Sequence, residues 1–198
     1  MRIFIAGATG AIGVPLVRRL VAGGHTVAGM TRSESKAGAL RALGAEPVVC
    51  DVFDLSALTA AVTGFGPDAV IHQLTDLPDR AADIPARAAA NSRIRREGTR
   101  NLLAAARAAG APRFLAQSVA WELPGDGGAA VREHERAVLD AGGVVLRYGR
   151  FYGPGTYHPD DVAEPPAVHV EEAARRTADA LEAPSGVITV VSDRVARP

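Results

Sequence analysis

Lysine is nearly absent: of the 22 basic side chains only Lys36 is a lysine, so a mechanism that needs an ammonium group has a single candidate. Cysteine is equally scarce. Cys50 stands alone, so no internal disulfide can form and no Cys/His metal-ligand spacing exists. Zinc drops out, and a reducing compartment is the expectation. Net charge is missing too, because 22 acidic side chains cancel the 22 basic ones. The sequence pI near 7.0 lacks the electrostatic footprint of a nucleic-acid or acidic-membrane binder. No apolar run reaches the roughly 18 residues of a membrane span. The opening MRIFIAGATG passes from apolar residues straight into glycines, without the apolar core or cleavage site of a signal peptide. The expected location is the cytoplasm.

What is present suits one globular domain over residues 1–198. The chain is 47% hydrophobic and 22% charged, and a chain of this length buries about 70% of its unfolded surface without staples. Short apolar β-branched runs alternate with Ala/Leu/Arg segments of helical period, which predicts an α/β fold with a doubly wound parallel sheet. The strands are placed at Arg2 to Ala6, His25 to Met30, Glu46 to Cys50, Asp68 to Gln73, Arg113 to Ser118, Gly143 to Tyr148 and Gly186 to Ser192. Being apolar throughout rather than alternating, they call for helices on both faces. Ile12, Leu16, Val17, Leu20 and Val21 mark the stripe of the first helix. The longest helix is predicted from about Asp83 to Ala109, stopped by Gly110 and Pro112. Gly153 to Pro166 reads as a short loop on the substrate side.

The segment Gly7-Ala8-Thr9-Gly10-Ala11-Ile12-Gly13 lies between a predicted strand and a predicted helix, the context that makes a glycine pattern a dinucleotide-binding hypothesis. Gly7 permits a sharp turn, Gly10 lets a pyrophosphate approach the backbone, and Gly13 lets helix and strand pack closely. The helix N-terminus adds free N–H groups and partial positive charge. After the second strand comes Thr31-Arg32-Ser33. A basic residue there pairs with a 2′-phosphate, where an acidic one would hold a ribose 2′-hydroxyl. NADP is therefore preferred, NAD being the alternative, with Thr31 and Ser33 as hydroxyl helpers to Arg32.

From this point the chain resembles the extended and atypical branches of the short-chain dehydrogenase/reductase superfamily, the NAD-dependent epimerase/dehydratase-like proteins. The resemblance rests on GATGAIG at 7–13, TRS at 31–33, Asp51-Val52, EGTRNLLAAARAAG at 97–110, AQSVA at 116–120, LRYGRFYGPGT at 146–156 and AVHVEEAA at 167–174. It implies a Rossmann fold. It also implies that Thr9, Ala11 and Ile12 join the glycines around the cofactor, and that Asp51 and Val52 touch the adenine. By the same resemblance Leu74 and Thr75 form the wall near the adenine-side ribose and pyrophosphate or near the nicotinamide ribose, Gln117 is among the cofactor-binding residues, and Tyr152, Gly153 and Pro154 seat the nicotinamide.

Two departures stand out. The superfamily's Tyr-x-x-x-Lys pair uses a lysine to lower the tyrosine pKa from about 10. With Glu135 as the alignment anchor, Gly127 and Val131 fall on those two positions here. A frequent asparagine three residues before Gly98 is Arg95. The usual substrate region is also reduced to the loop at 153–166, which implies either an open pocket or closure by a second subunit, as in a homodimer.

Ser118, at the carboxyl end of the fifth strand, is the first catalytic candidate, the alternative being a serine that caps the next turn. Tyr152 either donates a proton or packs. His134 either acts as an acid near pH 7 or is an exposed helix histidine. His72 and His169 read as structural. Trp121 and Glu122 border the substrate or pack. Arg93, Arg95, Arg96 and Arg100 read as a solvated helix face, with an anionic ligand as the alternative. These residues point to an NADP-dependent oxidoreductase passing hydride to a carbonyl, quinone or conjugated small molecule. The alternatives are a non-redox NADP(H) sensor or scaffold, and an epimerase, dehydratase or cyclase on the same fold.

Overall fold

The computed structural model describes residues 1–192; residues 193–198, the end of the expected domain, lie outside the described residues. Seven strands form the main sheet among the described residues: β1 (Arg2–Ala6), β2 (Thr26–Thr31), β3 (Glu46–Val49), β4 (Ala69–His72), β5 (Arg113–Val119), β6 (Val144–Tyr148) and, last in the chain, β9 (Gly186–Val190). They lie in the order β3-β2-β1-β4-β5-β6-β9 with every pair parallel. The chain winds outward in one direction from β1 and in the other from β4. This switch of direction opens a crevice at the strands' carboxyl ends, where such sheets bind ligands.

The apolar runs are explained by burial on both faces. In β1, Ile3 and Ile5 join one core, while Phe4 and Ala6 join the other. The first core is closed by α1 (Gly13–Ala22) and α7 (Val170–Asp179), through Leu16, Val17 and Leu20 and through Ala173 and Ala174. The second is closed by α3 (Leu55–Phe65) and α5 (Thr99–Ala108), through Leu58, Val62, Leu102 and Ala105. Each fully buried leucine contributes about 2 kcal/mol. Asp54 starts α3 by accepting the Ala57 N–H at 3.0 Å, as N-capping requires.

The long helix expected at 83–109 is present only as a broken helical run. A 3₁₀ segment (Ala81–Arg87) leads into α4 (Ala88–Arg93), then a π-helical turn (Ile94–Gly98), then α5. Pro85 lies in the first segment. It lacks an N–H and cannot sustain α-helical bonding there. The longest regular helix among the described residues is instead α6, Gly125–Asp140. The remaining α-helix among the described residues is α2 (Ala37–Ala42). Two three-residue strands, β7 (Arg150–Tyr152) and β8 (Ala167–His169), pair in parallel as a small second sheet. They are too short to leave a period in the sequence. No described helix is long and apolar enough to cross a membrane.

Candidate functional site

The crevice between β1 and β4 widens into a cleft of about 1100 Å³. That is at the upper end of, or beyond, the roughly 300–1,000 Å³ of a single-ligand pocket. Gly7, Thr9, Gly10, Ala11 and Ile12 line one end; Thr31, Arg32, Ser33, Lys36 and Val52 form an adjoining wall; Gln73, Leu74, Thr75, Gln117 and Ser118 form the floor. Most of the cofactor residues expected from sequence are thus brought together. Gly13 and Asp51 stand just outside the lining. Asp51 is exposed and turns the chain by accepting the Phe53 N–H at 3.0 Å.

The glycine loop has the geometry a diphosphate needs. Gly7 adopts φ +90°, and a Cβ there would sit 2.6 Å from the Gln73 carbonyl oxygen. A Cβ on Gly13 would collide with the Gly7 carbonyl, so this glycine acts by letting α1 press against the loop. Among the described residues the backbone amides of Ala11 and Ile12 donate to no protein acceptor. Ile12 gives α1 no side-chain cap, and the first turn holds no acidic residue. The positive end of the helix is therefore open to an anion. On the floor, Gln73 is 4% exposed. Its amide nitrogen donates to the Tyr148 hydroxyl at 3.1 Å, and its amide oxygen has no partner. A ligand hydroxyl or amide would satisfy it. These residues fit a dinucleotide.

At the far wall Arg32 is half-engaged. Its guanidinium donates to Asp76 at 3.1 Å, and Arg87 donates to the other carboxylate oxygen at 2.7 Å. Burial pushes the Asp76 carboxyl up, but the hydrogen bonds and charges of Arg87 and Arg32 outweigh it and leave the pKa lowered. Thr31 accepts the Ser33 N–H at 3.2 Å, fixing the turn. Lys36 joins the same wall, a second cation whose place in the sequence, far from the expected catalytic helix, gave it no role.

His134 is neither exposed nor in the cleft. It is 2% exposed and belongs to a buried chain of hydrogen bonds. The Leu74 N–H donates to His72 Nδ1 at 3.2 Å, so His72 Nε2–H donates to Thr99 Oγ1 at 3.1 Å. Thr99 then donates to His134 Nδ1 at 2.7 Å, and His134 Nε2–H donates to the Gln117 carbonyl at 2.8 Å. Both imidazoles are neutral in this arrangement. Burial holds the His134 pKa down to about 4 and pushes His72 well below its usual value. As an acid for neutral pH, His134 is therefore corrected to a positioning residue. The chain ties Leu74 to Gln117 across β4 and β5. Gln117 also donates to the Leu74 carbonyl at 2.8 Å.

Ser118 faces the cleft and is 4% exposed, with its hydroxyl donating to Glu135 Oε1 at 2.5 Å. Arg147 grips Glu135 with two bonds of 2.9 and 2.6 Å. Burial raises the Glu135 carboxyl, but hydrogen bonds from Arg147 and Ser118 bring it below its ordinary value, so it is ionised at neutral pH. This charged clamp under the serine is not recognisable in the sequence, where Glu135 serves only as an alignment marker. Gly127 lines the cleft on α6 and contributes no acid. Tyr152, Gly153 and Pro154 do not line it. Tyr152 stacks edge-on against His169 with ring centroids 5.2 Å apart. The wall expected of them is supplied by Tyr148, Gly149, Arg150 and Phe151.

The loop at 153–166 spans the mouth. Gly155, Thr156, Tyr157 and His158 line the cleft, and the Tyr157 hydroxyl donates to the Pro78 carbonyl on the opposite rim. Trp121 borders the same space, under the Arg150 guanidinium at 4.7 Å.

A parallel sheet with a glycine-turned helix entry at its switch point, and a hydroxyl beside the floor, defines a dinucleotide-binding Rossmann protein. Residues 7–145 match the family described as NAD(P)H-binding, and the chain belongs to that family. It is 42% identical over 185 residues to a 3-diazoavenalumate denitrifying reductase from a Streptomyces species, covering 81% of this chain and 60% of that one. The chain thus spans under two thirds of that relative's length. Among solved structures, it resembles UDP-glucose 4-epimerase of Thermotoga maritima at TM-score 0.81 and 18% identity, over 98% of this chain and 78% of that one. The NAD complex of the Thermus thermophilus UDP-glucose 4-epimerase matches at TM-score 0.79 and 21% identity, with the same shares covered. The fold is that of the extended short-chain dehydrogenase/reductases.

Proposed function

We propose that the protein is an NADPH-dependent reductase of the atypical short-chain type, acting on an electron-poor conjugated small molecule such as a quinone, a conjugated carbonyl or a diazo-bearing aromatic. The observation that carries this reading is the wall around Ser118. Its hydroxyl is committed to an ionised Glu135, and Gly127 stands where a tyrosine acid would be. Such a site suits acceptors whose reduction needs no protein acid: hydride leaves a quinone or a conjugated carbonyl as a stabilised anion, and an aryldiazonium that gains hydride loses dinitrogen.

A bound dinucleotide would supply the hydride, and the reduced acceptor's proton would come from water or through His158, which lines the mouth. The glycine loop fixes the diphosphate, and Arg32 with Lys36 receives a 2′-phosphate. Ser118, its proton held by Glu135 and Glu135 in turn held by Arg147, presents the acceptor an oxygen of fixed orientation that accepts and does not donate. Trp121 and Phe151 give it an apolar wall that excludes water. The reductase activity in the relative's name supports this reading.

The test is NADPH oxidation, followed at 340 nm, against quinones and diazo-substituted aromatic acids. Turnover is expected, and Ser118→Ala should lower kcat about tenfold or more while NADPH affinity stays within twofold. Tight NADPH binding without turnover on any acceptor would favour a second reading, a non-redox sensor of NADP(H). The Ser118–Glu135 bond is compatible with that as well.

A further inference from the structure

Arg95 does not lie on the solvated arginine face. Its neighbours Arg93 and Arg96 do, paired with Glu97 and with Asp126 and Glu133. Arg147 and Arg87, near the cleft floor and rim, are likewise matched by Glu135 and Asp76. Arg95 alone of this group turns into the cleft, where it lines the wall with Ser118, Trp121 and Asn91. Among the described residues it has neither an ion pair nor a side-chain hydrogen bond. The titratable groups whose fields register its charge are His72 and His134, both held neutral. Burial lowers the arginine's own pKa, and no carboxylate opposes that effect. The residue sits on the π-helical turn Ile94–Gly98, and such turns cluster at functional sites.

A half-buried guanidinium without a counter-charge is costly, because desolvation weakens its hydration and nothing in the protein replaces it. The dinucleotide's phosphates already have receptors in the glycine loop and in Arg32 with Lys36. A second anion is therefore needed, on the substrate side of the cleft.

We infer that Arg95 is the substrate-recognition group of this cleft, binding the carboxylate of a planar aromatic or conjugated acid whose ring lies along the Trp121 wall. Arg presents a planar fork that matches both carboxylate oxygens. The inference deepens the reductase reading and rests on it for the word substrate. Recognition of the carboxylate is tested separately from turnover.

Trp121 is the only tryptophan in the chain, so its fluorescence, excited at 295 nm, reports this wall directly. The parent protein with NADP⁺ present is titrated with benzoate and with benzamide at pH 7. Benzoate should produce a saturable change and bind at least tenfold more tightly than benzamide. Arg95→Gln should reduce benzoate to the benzamide level, and Arg95→Lys, which keeps the charge but not the fork, should fall between. Equal binding of benzoate and benzamide by the parent, or undiminished benzoate binding by Arg95→Gln, overturns the inference. So does a loss of NADP⁺ affinity in Arg95→Gln in place of benzoate affinity, since the guanidinium would then serve the cofactor. Failure of the parent to bind any dinucleotide would sink the reductase reading, while the benzoate comparison without NADP⁺ still decides the role of Arg95.

Discussion

Arg32 already gives one hydrogen bond to Asp76, so a 2′-phosphate, were one bound there, would compete for a shared cation rather than find a free one. Half-exposure weakens the contact further. The preference should still be measurable: NADPH is expected to bind about tenfold more tightly than NADH, and Arg32→Ala to remove that difference. Isothermal titration of both dinucleotides checks it, and equal affinities in the parent refute the 2′-phosphate reading. At this scale the sequence was readable where backbone geometry leaves one residue type. Gly7 and Gly13 are fixed by turn and close approach, and their spacing with Gly10, where a Cβ would still stand 3.3 Å from the Gly7 carbonyl oxygen, betrays them. Glu135, Lys36 and Gln73 were not readable in these roles, and Arg95 only as the alternative to a solvated face, because a polar side chain looks the same in the sequence whether it faces solvent or a cleft. Only the rotation of α6 and of the π-helical turn decides that.

Element boundaries followed local chemistry closely where apolar runs were long. β1 matches its expected bounds, and the other main strands shift at their ends by at most two residues. The strands β7 and β8 escaped, since three residues cannot show a period of two against the background of a proline-rich loop. The break at 81–98 escaped as well. Ala, Arg and Leu are good formers of any helical turn, and the widening at Ile94–Gly98 is a tertiary choice that puts Arg95 in the cleft. The β1–loop–α1 unit has the least tolerance. A methyl on Gly13 meets the Gly7 carbonyl and the Ala8 backbone, neither of which can move aside. Gly13→Ala should cost about 2–3 kcal/mol, lowering the melting temperature by roughly 5–10 °C, and should abolish dinucleotide binding. Calorimetry with and without NADPH measures both, and an unchanged melting curve would contradict the packing described.

For the molecule as a whole, the two neutral histidines under the floor predict acid sensitivity. In the unfolded chain each takes up a proton near pH 6.5. In the folded protein His134 resists down to about 4, and His72 is pushed well below its ordinary value. The unfolded state therefore binds more protons in this window, and stability falls as pH drops. The slope is up to about 1.4 kcal/mol per pH unit for each histidine. Asp76 and Glu135, whose carboxyls are lowered, add their losses only at still lower pH. Urea midpoints should be level from pH 8 to 7 and fall steadily from 6.5 to 4.5. A flat profile across that range would mean that the buried hydrogen-bond chain is not as described.

The tie from Tyr157 to the Pro78 carbonyl joins the two banks of the cleft by one contact. A dinucleotide bound beneath it would leave more readily once that contact parts, so its residence time would depend partly on a phenol and not wholly on the phosphate grip. Tyr157→Phe should speed both release and entry of NADP⁺ several-fold in stopped-flow experiments, with the affinity little altered. Where product departure limits turnover, a variant with an untied mouth would be the faster catalyst.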